Sequence, residues 1–168
     1  MLSKKAEYAL KALFYLAREG GGRPVPIGEL AEKEDIPKKF LEAILLDVQR
    51  HGILESRKGK GGGYSLRKSP EEVTIGRIVR ILDGPLAPVP CVSETAYKKC
   101  AHCRDEKLCG VRMVMKEVRD ATAKILDGTS LAQVVRRIKL EVAATGSARK
   151  RRLTGSGPGE AVIERRRR

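Results

Sequence analysis

The segment Pro37–Leu66, PKKFLEAILLDVQRHGILESRKGKGGGYSL, decides how this chain folds. Pro37 suits the first turn of a helix and pushes Ile36 before it toward extended backbone. Phe40, Leu41, Ile44, Leu45 and Val48 then recur at helical spacing, which gives that helix a buried face, and Gly52 stops it. Ile53–Ser56 reads as a short strand and Tyr64–Leu66 as its partner. Between them lies Arg57-Lys58-Gly59-Lys60-Gly61-Gly62-Gly63. Glycines let the chain turn and bring its backbone close to a second molecule, and three cations within four residues define that molecule as a polyanion. The hairpin is a basic wing.

Upstream, Ala6, Leu10, Leu13, Phe14 and Ala17 follow helical spacing, with Ser3 as a cap and Gly20-Gly21-Gly22 as the stop. After Pro24 and Pro26, Ile27–Glu34 has room for about two turns. Three helices in about fifty residues, the last two joined tightly, predict a helix-turn-helix. Downstream, Thr74 caps a helix carrying Ile75, Ile78, Val79 and Leu82 and ending near Gly84. A proline-rich link, Pro85–Pro90, leads into a cysteine segment. Beyond it Leu108, Val111, Met115, Val118, Thr122 and Ile125 recur at alternating intervals of three and four, the seam of a coiled coil, so a partner helix is implied. Leu131, Val134, Val135 and Ile138 mark a last short helix.

The expected fold is therefore mainly α with a small β-wing: a winged helix-turn-helix head over 1–84, a cysteine sensor loop over 85–109, a long dimerisation helix with a closing helix over 110–140, and a tail over 141–168. That tail holds 8 of the 35 Lys+Arg against Glu141, Glu160 and Glu164, and it is rich in Gly and Ser with few apolar residues. Such a composition predicts disorder. Removing it leaves 27 Lys+Arg against 18 Asp+Glu, or +9 of the total +14, so the basic bias belongs to the folded part as well. Cations set against phosphates release condensed counterions, which makes nucleic acid the first candidate partner and an anionic membrane the second. The sequence contains no apolar run long enough to span a bilayer and no signal-peptide core, so a cytoplasmic setting with no membrane partner is expected.

In a helix-turn-helix the base-reading residues lie at the start of the second helix of the motif. Here the exposed positions are Lys38, Lys39, Glu42 and Ala43; Lys39 can donate to a guanine edge or a phosphate, and Glu42 can accept from a cytosine amino group. A solvated, solubilising face is the bland alternative, and the basic wing within about ten residues weighs against it. Lys58 at the wing tip is the candidate for a minor-groove or phosphate contact, with Arg57 and Lys60 beside it, while Lys4 and Lys5 at the start of the first helix are candidates for backbone phosphate. Tyr8 and Tyr64 read as packing residues first and phosphate donors second.

All four cysteines, Cys91, Cys100, Cys103 and Cys109, fall in one polar loop, where small core residues would not cluster. In a reducing compartment such a group is more often a ligand set or a thiol switch than a disulfide frame. A structural zinc site favours paired short spacings, and only Cys100 and Cys103 form one. A thiol switch needs no particular spacing. An iron–sulfur cluster, 2Fe–2S or 4Fe–4S, tolerates irregular spacing and is favoured by cations such as Lys98, Lys99, Arg104 and Lys107, with His102 a further potential nitrogen ligand. No paired carboxylates, nucleophile–base pair or phosphate-cradling loop leading into a helix is present, so the chain is not expected to be an enzyme.

The run Ser3-Lys4…Tyr8-Ala9, the Pro24-Val25-Pro26 approach to the second helix, Phe40-Leu41-Glu42, and Gly61-Gly62-Gly63-Tyr64-Ser65-Leu66 followed by the cysteine segment resemble the Rrf-type bacterial winged helix-turn-helix regulators, the IscR-, NsrR- and RirA-like group. The resemblance covers residues 1 to 138. It implies a homodimer that crosses its long helices, binds a palindromic double-stranded DNA operator, and represses or activates as a cluster is gained, lost or modified. By position it places Lys39, Phe40 and Glu42 at the family's recognition-helix contacts and Lys58 at its minor-groove cation. Many relatives carry three cysteines; here Cys103 to Cys109 keeps their five-residue gap, Cys91 to Cys103 is longer, and Cys100 is additional. Cluster-free relatives that respond to small molecules or partner proteins define the alternative, a metal-free thiol- or partner-controlled regulator of the same fold.

Overall fold

The computed structural model describes the backbone of residues 2–154 and the side chains of residues 2–145. Among the described residues six α-helices and one hairpin follow in order: α1 (Lys4–Glu19), α2 (Ile27–Lys33), α3 (Lys38–Arg50), β1 (Leu54–Arg57), β2 (Gly63–Leu66), α4 (Ile75–Asp83), α5 (Gly110–Asp127) and α6 (Leu131–Thr154). The chain divides into two units, 1–135 and 136–168, and within the described residues the second is the continuation of α6.

Local chemistry sets the helix ends. The Ser3 hydroxyl accepts from the Ala6 amide at 3.1 Å and the Thr74 hydroxyl from the Arg77 amide at 3.3 Å, so both expected caps form. Between α2 and α3 the turn runs through Asp35 at φ 52, the one non-glycine residue with positive φ among the described residues. Aspartate tolerates this left-handed geometry better than most side chains. The Glu34 and Ile36 amides donate to the Leu30 and Ala31 carbonyls, which closes the turn and lets Ile36 enter the core.

The head packs as one core. Leu13, Leu30, Leu41, Ile44, Leu45, Ile53, Leu54 and Ile78 are fully buried, drawn from the three N-terminal helices, the start of the wing and α4. Cross-ties hold the layers: Tyr15 donates to Glu29 at 2.9 Å, Lys5 pairs with Asp47 at 2.6 Å, and Arg77 donates to the His51 carbonyl at 3.2 Å. β1 and β2 are antiparallel in the register Leu54↔Leu66 to Arg57↔Gly63. Val25 and Tyr64 exchange both backbone hydrogen bonds, adding a one-residue third strand. Gly63 permits that approach, because a Cβ there would collide with the Val25 backbone.

The α5–α6 turn is anchored on the head. The Ile75 amide donates to the Thr129 carbonyl and the Leu131 amide to the Val73 carbonyl, each at 2.9 Å, and Leu131 is fully buried in the head core. Gly76 brings α4 directly against Asp127, whose carboxylate Arg80 holds with two hydrogen bonds of 2.5 and 2.9 Å. One boundary differs from the sequence reading. Helix α6 runs to Thr154 rather than closing near 140, because Ala, Arg and Lys dominate 143–152 and no proline interrupts them. The rest of the tail predicted to be disordered, 155–168, lies outside the described residues.

Candidate functional site

Two features are candidates, one on the head and one on the loop before α5. On the head, Lys38, Lys39, Phe40 and Glu42 stand exposed on the first turns of α3, and Arg57, Lys58 and Lys60 are exposed on the wing. None of these five cations has a carboxylate within ion-pair range among the described residues, so their charge is open to an external anion. Phe40 is 46% exposed and meets Tyr8 edge to face at 5.8 Å, which ties the start of α3 to α1. Tyr64 of the wing is half-buried; burial first and the Glu42 carboxylate second push its phenol above the ordinary value. The N-terminal lysines behave differently. Lys4 is exposed and pairs with Glu7, whereas the Lys5 ammonium is committed to Asp47 of α3, whose carboxyl it holds below the usual range.

The loop feature is a cavity of about 530 Å³ lined by all four cysteines together with Lys98, Lys99, His102 and Arg112. Cys91 enters from a 3₁₀ turn, Pro90–Val92, whose Val92 is buried, and Cys109 stands immediately before the first residue of α5. Cys100 is exposed, while Cys91, Cys103 and Cys109 are half-buried and all four are free thiols. Burial, and then the Cys109 thiol, push Cys103 above its ordinary value. The fold thus gathers residues spread over nineteen positions, but among the described residues no three Cys, His, Asp or Glu side chains already stand in metal-holding geometry.

Charged side chains brace this loop in ways the sequence did not reveal. Tyr97 donates to the Glu106 carboxylate, closing the segment that carries Cys100 and Cys103, and this bond is the main cause of the raised Tyr97 phenol. Farther along α5, Arg119 is 8% exposed and forms ion pairs with Glu94 of the loop and with Asp120, although its Nη1 makes no aligned hydrogen bond. Glu94 also acts on Arg80 of α4, so one loop carboxylate touches the electrostatics of both helices.

Helix α5 presents an apolar stripe to solvent: Val111 (64% exposed), Val114, Val118, Ala121 and Ile125 (65% exposed), at intervals of three and four. The predicted seam shares Val111, Val118 and Ile125 with it but had Met115 and Thr122 in the alternate positions. Those two are half-buried instead, and Thr122 turns with Leu126 toward Val79 and the proline link.

A three-helix head, a two-stranded basic wing and an exposed recognition helix define the class of winged helix-turn-helix DNA-binding regulators. Comparison sharpens this. Residues 2–137 match the family model of Rrf2, iron-dependent transcriptional regulators. An rrf2-like HTH-type transcriptional regulator of Rhodobacter capsulatus is 42% identical over 138 residues, 80% of this chain and 92% of that protein. The structure of CymR, the global cysteine regulator of B. subtilis, superposes with a TM-score of 0.68 at 27% identity over 82% of this chain and 97% of its own. T. potens IscR, at a TM-score of 0.66 and 24% identity over 82% and 88%, shares the fold. The chain belongs to the Rrf2 family and is a transcription regulator, not an enzyme.

Proposed function

We propose that this regulator works as a cytoplasmic homodimer on a palindromic operator, as a repressor whose grip on DNA is set by an iron–sulfur cluster on the cysteine loop. The observation that carries the reading is the convergence of four thiols on one cavity at the start of α5, the helix that bears the exposed apolar stripe. Cys91, Cys103 and Cys109, with Cys100 or His102, are the residues that would hold the cluster, and their soft sulfur donors suit iron and sulfide. When bound there, the cluster supplies a redox-sensitive group whose loss or modification changes what the loop is tied to.

The head, 1–84, reads DNA, the loop at 85–109 senses, and 110–140 joins the two copies. Lys38, Lys39, Phe40 and Glu42 face the major groove, with Arg57, Lys58 and Lys60 against the minor groove or phosphates. Lys4 contacts backbone phosphate, and Lys5 chiefly locks α1 to the recognition helix through Asp47. The signal passes through the chain's own residues. Holding a cluster would draw the thiols together and shift the loop, and the tie such a shift would alter is Glu94, which pairs with Arg119 of α5 and acts on Arg80 of α4. Because Arg80 and Asp127 fasten α4 to α5, the spacing of the two heads changes with the loop, a shift between two populated arrangements.

Anaerobic purification followed by ultraviolet–visible spectroscopy with iron and sulfide analysis tests the reading. A coloured protein with both elements is expected. A colourless protein with stoichiometric zinc, or with no metal, overturns the cluster. A second reading, a metal-free thiol- or partner-controlled regulator, is favoured by the proximity of Cys103 to Cys109 and by the likeness to CymR. It expects Cys→Ser variants to bind operator like the parent when no oxidant is present.

A further inference from the structure

Three buried side-chain nitrogens lack a hydrogen-bond partner among the described residues, and all three belong to two arginines of α5, Arg112 and Arg119. A buried unpaired donor on a charged group is costly, so such an atom marks a place where an acceptor belongs. Arg119 already has carboxylates at Glu94 and Asp120. Arg112 does not. Its side chain lines the four-cysteine cavity, and its nearest carboxylate oxygen, Glu106 Oε2, stands 3.9 Å from Nε, within ion-pair range but too far to accept a hydrogen bond. Glu106 is itself engaged by the Tyr97 hydroxyl, which holds it at that distance.

A cationic side chain that lines the four-cysteine cavity, and whose Nε has no acceptor within hydrogen-bond distance, is matched to the charge of the loaded site, because thiols ionise when they bind a metal. Several thiolates on a divalent ion, or on an iron–sulfur cluster, leave net negative charge in a half-buried cavity, and a hydrogen bond from a guanidinium to sulfur offsets it. We propose that Arg112 is the charge-recognition residue of the cysteine cavity, donating from Nε to the anionic thiolate–metal group, with Glu106 as its counter-ion in the unloaded protein. Arg112 is a positioning residue and not a ligand. The inference rests on the reading of the cavity as a thiolate–metal site, and it holds for any metal bound by thiolates there.

The test uses full-length protein under anaerobic conditions and four forms: parent, Arg112→Met, Arg112→Lys and Lys116→Met. Lys116 lies one turn further along α5, outside the cavity, and pairs with Asp120. Cobalt(II) alone is titrated and followed by its thiolate charge-transfer absorption; separately, reconstituted cluster is followed by its loss to a chelator and by its reduction potential. Arg112→Met is expected to weaken cobalt binding about tenfold, the lower end of what lost hydrogen bonds around a metal site cost. It should also speed cluster loss and lower the potential, since less positive charge then stabilises the reduced state. Arg112→Lys recovers part of each effect and Lys116→Met behaves as the parent. Arg112→Met matching the parent in affinity, lifetime and potential overturns the role of Arg112 alone. Equal effects from Lys116→Met overturn it too, because diffuse charge then suffices. A parent that gives neither thiolate–cobalt absorption nor cluster overturns the metal reading and the inference with it. Circular dichroism of each apo form separates these outcomes from misfolding, and a misfolded Arg112→Met leaves Arg112→Lys to decide by its own loss of affinity.

Discussion

Lys58 stands exposed at the wing tip with no carboxylate partner among the described residues, and Glu42 stands exposed on α3. These two should fail differently. Lys58→Ala is expected to weaken DNA binding across sequences and to reduce the slope of log affinity against log salt by about 1, whereas Glu42→Ala shifts sequence preference. Binding measured at several salt concentrations decides it, and an unchanged slope for Lys58→Ala rules out a phosphate contact. Asp35 carries a second residue-scale expectation. Its φ of 52 suits a β-branched side chain poorly, so Asp35→Val should cost about 1–2 kcal/mol in denaturant unfolding while Asp35→Gly costs nothing. Equal stability of Asp35→Val and the parent would show that the turn relaxes. No spacing or periodicity marks Asp35 in the sequence, because a left-handed residue is imposed by the two helices it joins.

At the scale of elements, the caps, stops and strands of the head follow from local chemistry and were legible: Ser3 and Thr74 cap as their positions require, and the wing strands fall within a residue of their expected ends. What binds elements to one another was not. No spacing or turn signal marks Gly76, yet it is the place where α4 meets Asp127. The Arg80 hydrogen bonds hold the Asp127 carboxyl below its ordinary range. With a native value below the unfolded one, the pair contributes stability above the ordinary carboxylate pKa of about 4 and loses it as pH falls through the native value. Asp127→Asn should therefore flatten the acid limb of a stability–pH curve, by about 1 kcal/mol at most because both groups are partly exposed. A curve of unchanged shape would place the pH dependence elsewhere, with Asp47 and its Lys5 partner the next groups to examine.

For the whole molecule the exposed stripe on α5 is the decisive surface. A helix that keeps Val111, Val114, Val118 and Ile125 in water lacks a partner face, and in the proposed homodimer a second copy of the same helix would supply one. Val118→Glu is expected to halve the mass seen by light scattering. Two linked heads gain about a hundredfold or more from binding one site together, so operator affinity should fall by about that much. A parent already monomeric at working concentration would defeat the homodimer. The heptad spacing announced such a seam in the sequence, but the choice between Val114 and Met115, or Ala121 and Thr122, was made by the head, which turns Thr122 and Leu126 toward Val79.

The sequence alone determined the helix-turn-helix, the basic wing, the clustering of cysteines and the existence of an apolar seam, because each is written in local spacing, turn chemistry or composition. Tertiary structure alone decided which residues converge from distant positions: Cys91 with Cys109 on one cavity, Arg112 on its wall, Glu94 against Arg119, and Lys5 turned to Asp47. Spacing reports the face of a single element, whereas the partner of a charge or a thiol depends on how elements pack, and that is set by the whole buried core.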